Sequence, residues 1–184
     1  MSLTVIKETG AGLVDANSYA SVADGDAYFE GHLYATAWTG ATSDTKAAAL
    51  VMATRLIDAQ FQFCGFRAHS DQALQWPRTE CPDPDRGGRT WTVLGPVVSN
   101  CVPYDSVPEA VVQATCEQAR ELIIEDRTAA PPGEGLATVI NGSLTTRYSK
   151  SDTRPIISHV AQAMLAKYGA LIGGGGGSVR LIRA

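Results

Sequence analysis

The sequence predicts a mainly α-helical fold: a four-helix bundle with a long ordered loop, a short β-hairpin and an extended C-terminal tail. Two S-x-x-[DE] capping boxes each precede apolar residues at helical spacing. Proline and glycine cluster between the helical segments. A run of five consecutive glycines separates the last of these segments from a short aliphatic ending. These three observations favour one helical domain over residues 1–172 and a tethered tail over 173–184.

The first two helices are expected over about 21–38 and 45–63. Ser21 and Asp24 form the first capping box, and Ser43 or Asp44 is suited to cap the second helix. Aromatic residues in and near the first helix recur at helical spacing, which is typical of core positions rather than of a base-stacking platform. They are Tyr19, Tyr28, Phe29, Tyr34 and Trp38.

Residues 64–106 are expected to form the long loop, because proline and glycine interrupt this stretch too often for a long regular element. Trp76, Trp91 and Tyr104 indicate an ordered loop that packs on the domain, with a short extended piece over 90–98. Asp83 and Asp85 with Glu80 form a small acidic cluster, for which a solvated loop is favoured over a divalent-cation site.

The third helix is expected over about 107–127, begun by the second capping box of Ser106 and Glu109. Its polar face is expected to include Glu117 and Arg120, opposite two apolar rows. Asn141-Gly142 predicts a tight type I′ hairpin turn. A last helix is expected over about 154–172.

Composition restricts the possible functions. Charged residues make up 18% of the chain and the net charge is −4. Nucleic-acid binders usually carry a basic excess that replaces phosphate counterions, so the acidic balance disfavours nucleic-acid binding as the main activity. The N-terminus has no signal-peptide pattern, and no apolar run approaches a membrane span, so a cytosolic protein with reduced cysteines is expected.

No catalytic or cofactor motif is found, and we expect neither an enzyme nor a bound cofactor or metal. His69 with Asp71 is more typical of a surface turn than of an acid–base pair. Cys64 and Cys81 lack the C-x₂-C spacing of a zinc site, although half a metal site remains an alternative.

The C-terminal tail has the pattern of a docking arm. A flexible glycine spacer precedes aliphatic and basic residues that suit an added β-strand, with the arginines available to acidic groups of a partner. The alternative is a disordered terminus. The residues predicted to dock on the portal or a neighbouring subunit are Val179, Arg180, Leu181, Ile182 and Arg183.

Several segments together resemble the head-tail connector (neck adaptor) proteins of tailed bacteriophages, a sequence group also labelled DnaT-like single-stranded-DNA-binding protein. The likeness covers most of the chain. It lies in residues 18–29 (SYASVADGDAYF), Trp38, the Ala-rich second helix ending at 56–58 (LID), residues 75–78 (QWPR), residues 107–111 (VPEAV), the closing helix and the basic tail. Residues 82–101 look like an insertion relative to shorter relatives.

The resemblance implies a non-enzymatic subunit of a ring beneath the phage portal, in twelve copies, that extends the DNA channel and links the capsid to stopper or tail proteins. Such a protein is assembled in the host cytoplasm, resides in the virion neck, and lets DNA pass without sequence-specific binding. The alternative is a single-stranded-DNA-binding module. The role of the insertion does not follow from the resemblance. Our hypothesis is a neck or tail contact through Asp83, Asp85, Arg86, Arg89 and Trp91.

Overall fold

The computed structural model describes residues 3–85, 101–129, 138–141, 144–147 and 154–172. The fold is mainly helical, as the sequence predicts. Four helices of at least seven residues and one short helix pack together. They are α1 (Val22–Glu30), α2 (Thr36–Thr39), α3 (Ser43–Gln60), α4 (Glu109–Ile124) and α5 (His159–Leu165).

Three pairs of short antiparallel strands complete the described structure. The strands are β1 (Phe61–Phe63), β2 (Phe66–Arg67), β3 (Arg78–Thr79), β4 (Thr138–Asn141), β5 (Leu144–Arg147) and β6 (Gly169–Leu171). β1 pairs with β6, β2 with β3, and β4 with β5. The predicted hairpin is confirmed as β4–β5, but Asn141 pairs with Leu144 and therefore lies in the strand rather than in the turn.

The first predicted helix is divided in two. Its capping box is confirmed, because the Ser21 side chain accepts from the Asp24 backbone and the Asp24 carboxylate accepts from the Ser21 backbone. The helix nevertheless ends at Gly31, where the chain turns. The His32 Nδ1 atom then accepts the Tyr34 N–H at 3.0 Å, a local bond that competes with helical pairing. A single helix over 21–38 was therefore wrong.

The second capping box is absent. α4 begins at Glu109 after Pro108, and no side chain caps it. The Ser106 hydroxyl instead donates to the Pro103 carbonyl at 2.9 Å. The cap of α3 is Thr42, one residue before the two candidates, and its hydroxyl accepts from the Thr45 backbone.

The last predicted helix is also shorter than expected. α5 ends at Leu165, and the chain then forms β6, which pairs with β1. The predicted helix over 45–63 likewise ends at Gln60, where β1 begins. A Cβ atom on Gly169 would lie 2.4 Å from the Gln62 carbonyl oxygen, so only glycine permits this close approach of the two strands. Long-range pairing thus replaces the last turn of each predicted helix.

Two apolar clusters form the core, and α4 contributes to both. One side of α4, with Val111 and Ala114, packs in a cluster with Ile57, Trp76 and Leu165. The other side packs against α1, α2 and α3 in a cluster whose large residues are Phe29, Trp38 and Leu50. No described helix is both long enough and apolar enough to cross a membrane.

Candidate interaction surfaces

A buried polar network joins three of the sequence segments that carry the resemblance. The Tyr19 hydroxyl donates to the Asp58 carboxylate at 2.5 Å and accepts the backbone N–H groups of Gln75 and Trp76 at 3.0 and 3.2 Å. Burial raises the pKa of Tyr19 well above its usual value and raises the pKa of Asp58 to about 6. The network therefore fixes the loop that contains Trp76 on the lead-in segment and on α3.

Arg78 continues this network as a structural residue. Its guanidinium is almost completely buried and donates to the carbonyl oxygens of Phe63, Cys64, Gly65 and Gln75. The arginine therefore satisfies main-chain acceptors at the turn between β1 and β2, where no regular ladder could satisfy them. Its positive charge is not available to a partner.

The β2–β3 hairpin, fixed by Arg78, presents an aromatic and a basic side chain to solvent. Phe66 is 67% exposed, and Arg67 beside it is also exposed. Gly65 before them has a φ of +69°, and a Cβ atom there would lie 2.0 Å from the Thr79 carbonyl oxygen. The hairpin thus holds an unpacked phenylalanine beside a close backbone contact that only glycine permits.

A second polar network surrounds Glu117 on α4. The carboxylate is 2% exposed, accepts the Tyr28 hydroxyl at 3.0 Å, and lies 3.4 Å from His32 Nε2 and 3.1 Å from the Arg120 guanidinium. Burial, and then the charge of Glu117, raises the pKa of Tyr28 above its usual value. The polar face that the sequence predicts around Glu117 is therefore covered in part, because the 32–34 turn and α1 lie over that part of α4.

This second network supports an exposed apolar turn. Arg120 donates to the Tyr34 carbonyl oxygen at 3.2 Å, and His32 accepts the Tyr34 N–H. Leu33 is nevertheless 90% exposed and Tyr34 is 76% exposed. Of the five aromatic residues expected in the core, Tyr19, Phe29 and Trp38 are buried and Tyr28 is partly buried. Tyr34 points outwards because α1 ends before it.

Most of the described basic side chains are already engaged within the chain. The structure describes nine lysine and arginine side chains, and Arg78 among them is buried against carbonyl groups. Six others form ion pairs with carboxylates: Lys7, Lys46, Arg120, Arg127, Arg154 and Lys167. Only Arg55 and Arg67 remain without an ion pair among the described residues, so the described surface has no extended basic stripe.

The predicted contact loop is described only in part. Asp83 accepts the Asp85 N–H at 3.0 Å, and Asp85 lies 3.2 Å from Lys167, just after α5. Pro82 bridges to Cys101, which closes the base of the segment expected as an insertion. The remaining predicted contact residues, Arg86, Arg89 and Trp91, and the whole tail from Val179 to Arg183 lie outside the described residues, as does the extended piece over 90–98.

The four cysteines are free thiols. Burial raises the pKa of Cys81 to about 11 and that of Cys116 to about 12, which makes both thiols poor ligands and nucleophiles at neutral pH. Within the described ranges, no three histidine, cysteine, aspartate or glutamate side chains come together as a metal site.

Sequence reasoning did not identify the two polar networks. Glu117, His32 and Arg120 are distant from any motif, and their proximity depends on the turn after α1. The resemblance did mark Tyr19, Asp58 and Arg78, because they lie within its quoted segments, but it gave no reason for their presence.

Comparison with known proteins places the chain in a family. No curated protein and no solved structure matches it. A family model with the description "Putative DnaT-like ssDNA binding protein" matches residues 1–184, which is the full length. The chain therefore belongs to the family that this model describes.

Proposed function

We propose that this chain is a structural head-tail connector subunit of a tailed phage. Copies of it form a ring beneath the portal in the virion neck, after assembly in the host cytoplasm, and the ring joins the capsid to stopper or tail proteins. The proposal rests on the sequence resemblance described above and on one geometric observation: the most exposed large apolar side chains of the described structure lie in two separate parts of the fold.

The two parts are the turn with Leu33 and Tyr34, beside the α1–α2 side of the core, and the β2–β3 hairpin with Phe66. In each part an arginine donates a hydrogen bond to a main-chain carbonyl oxygen, that of Tyr34 or that of Gly65, which anchors the backbone. A ring of identical subunits requires two different surfaces on each subunit that contact each other in the closed assembly. Fixed apolar residues suit such contacts because little conformational entropy is lost on binding.

The charge distribution fits a channel through which DNA moves. The chain is acidic overall, and most described cations are neutralised by carboxylates of the same chain. Such a surface offers few sites for phosphate, so DNA adheres weakly.

Electron microscopy of the purified full-length protein, alone and with its phage's portal ring, tests this function. We expect closed rings, of twelve copies according to the resemblance, in at least one of the two samples. The double variant L33S/Y34S should remain folded and lose the rings, whereas Y104F, which alters another exposed aromatic residue, should keep them. Failure of the unaltered protein to form rings or bind portal would overturn the proposal.

Single-stranded DNA binding is the second candidate, and the family description favours it directly. The exposed Phe66 beside Arg67, an arginine with no ion pair within the described part of the chain, is the arrangement that stacks a base and contacts a phosphate. Titration of a labelled oligothymidine at low and physiological salt tests it. Tight, salt-sensitive binding that F66A and R67S weaken would establish this candidate over the connector.

A further inference from the structure

A groove between α5 and β6 is not used by either proposed function. It has a volume of about 460 Å³. Ala163 of α5 and Ala166, the residue after its end, line one side, Ala170 and Leu171 of β6 line the other, and Phe61 contributes from β1. His159 and Gln162 of α5 add two polar side chains to this lining, and the other lining residues are apolar. Nothing in the described structure fills the groove.

The strand that lines this groove also has an open edge. Main-chain hydrogen bonds flank the three β1–β6 residue pairs at both ends. At one end the Cys64 N–H donates to the Tyr168 carbonyl at 2.9 Å, and at the other the Ile172 N–H donates to the Gln60 carbonyl at 2.7 Å. Because bonded pairs alternate along an antiparallel ladder, Ala170 bonds to β1, and the main-chain groups of Gly169 and Leu171 face the other edge. No described strand pairs with that edge.

An apolar groove beside an open strand edge fits an extended peptide with alternating aliphatic side chains. Main-chain hydrogen bonds of such a peptide extend the sheet, and its alternate side chains enter the groove. An open edge of this kind is usually covered in a stable protein.

The chain itself supplies a matching segment close by. Its described part ends at Ile172, the residue after β6, and twelve residues follow. Val179 and Leu181 share one side of an extended segment, with Arg180 on the other. The spacer of residues 173–178 spans up to about 20 Å, which is enough to return along the strand it leaves. A glycine-rich spacer of this length gives the segment an effective concentration of about millimolar at the groove.

We propose that the groove between α5 and β6 binds the chain's own C-terminal segment, residues 179–182, as an antiparallel strand on the open edge of β6. Val179 and Leu181 fill the groove, and Arg180 faces solvent. The inference concerns the isolated chain and holds for either proposed function.

Amide hydrogen exchange of the full-length protein, measured by NMR, tests the docking. The amides of Gly169 and Leu171 should exchange about tenfold more slowly in the unaltered protein than in L181D, because docking pairs them. The matched control R180D, which places the same charge on the outward side, should retain the slow exchange. From the groove side, A166E should speed exchange as L181D does. The Ala170 amide, which is bonded to β1, should exchange slowly in every variant. Its slow exchange shows that the β1–β6 pairing is intact.

Two results would overturn the proposal. Equal exchange of Gly169 and Leu171 in the unaltered protein and L181D would show that residue 181 does not dock. Slow exchange that appears only as protein concentration rises would assign the groove to the tail of a second copy instead of the chain's own.

Discussion

Replacement of Tyr19 by phenylalanine removes one oxygen atom from the point where the lead-in segment, α3 and the loop before β3 meet. The hydroxyl donates to Asp58 and accepts two backbone N–H groups. Gln75 keeps a second acceptor in the variant, the other Asp58 oxygen at 3.0 Å. Trp76 is fully buried, and its backbone N–H has no acceptor other than the Tyr19 hydroxyl among the described residues.

The magnitude follows from these contacts. A buried N–H without an acceptor costs about 1–3 kcal/mol, and loss of a hydrogen bond to a charged carboxylate costs about 1.5–3 kcal/mol. Because the two effects share one site, we expect Y19F to lower the free energy of unfolding by about 3 kcal/mol at pH 7. Domains of this kind are stable by about 5–15 kcal/mol, so the loss is readily measured.

Urea denaturation followed by tryptophan fluorescence provides the assay. The dependence of the unfolding free energy on urea concentration should be equal in the variant and the unaltered protein, which shows that both undergo the same unfolding transition. Y104F is the matched control, because Tyr104 is 62% exposed and makes no hydrogen bond through its hydroxyl within the described structure. It should change stability by less than about 0.5 kcal/mol. A Y19F loss below about 1 kcal/mol would refute the assignment of Tyr19 as the buried junction of the three segments.

Three further predictions concern stability. The pKa of Asp58, raised by burial to about 6, lies above the unfolded value of about 3.9, so the folded chain holds this proton more tightly. The stability that Asp58 contributes is therefore full below about pH 4 and lost as pH rises through about 6. D58N should remove roughly 2–3 kcal/mol of that decline. The prediction is contradicted if the urea midpoint of D58N falls from about pH 4 to above about pH 6 as much as that of the unaltered protein does. E8Q should destabilise the fold by about 2 kcal/mol in the same assay, because the buried Glu8 carboxylate accepts the N–H groups of Gly10, Gly12 and Leu13 and an amide nitrogen cannot accept; E30Q, at an exposed position, is its control. G25A should lower the thermal midpoint by several degrees, since its Cβ would lie 2.3 Å from the Trp38 ring, and an unchanged midpoint would show that the ring moves without cost.

The two exposed apolar sites differ in how the sequence could reveal them. Leu33 and Tyr34 continue the helical spacing of α1, so periodicity places them in the core with Phe29. Their exposure results from the turn at Gly31, which the His32 side chain and the Glu117–Arg120 network stabilise. Phe66 lies in a stretch with no periodicity, where sequence alone gives no burial prediction.

Local chemistry in the sequence determined the helical class, the first capping box, the position of α4 and the β4–β5 hairpin, because capping, periodicity and turn preferences act over a few residues. The tertiary structure decided where α1 and α5 end, since β6 pairs with β1 across a hundred residues and the Glu117 network joins α4 to the turn after α1. It also decided which polar residues are buried. Glu8, Glu117 and Arg78 are charged, so the sequence alone predicts that they lie at the surface. Contacts from other segments of the chain supply their hydrogen bonds in the interior. A burial pattern set by such partners is not encoded in spacing along the chain, which is why the sequence predicted the helices of this protein but not its two buried polar networks.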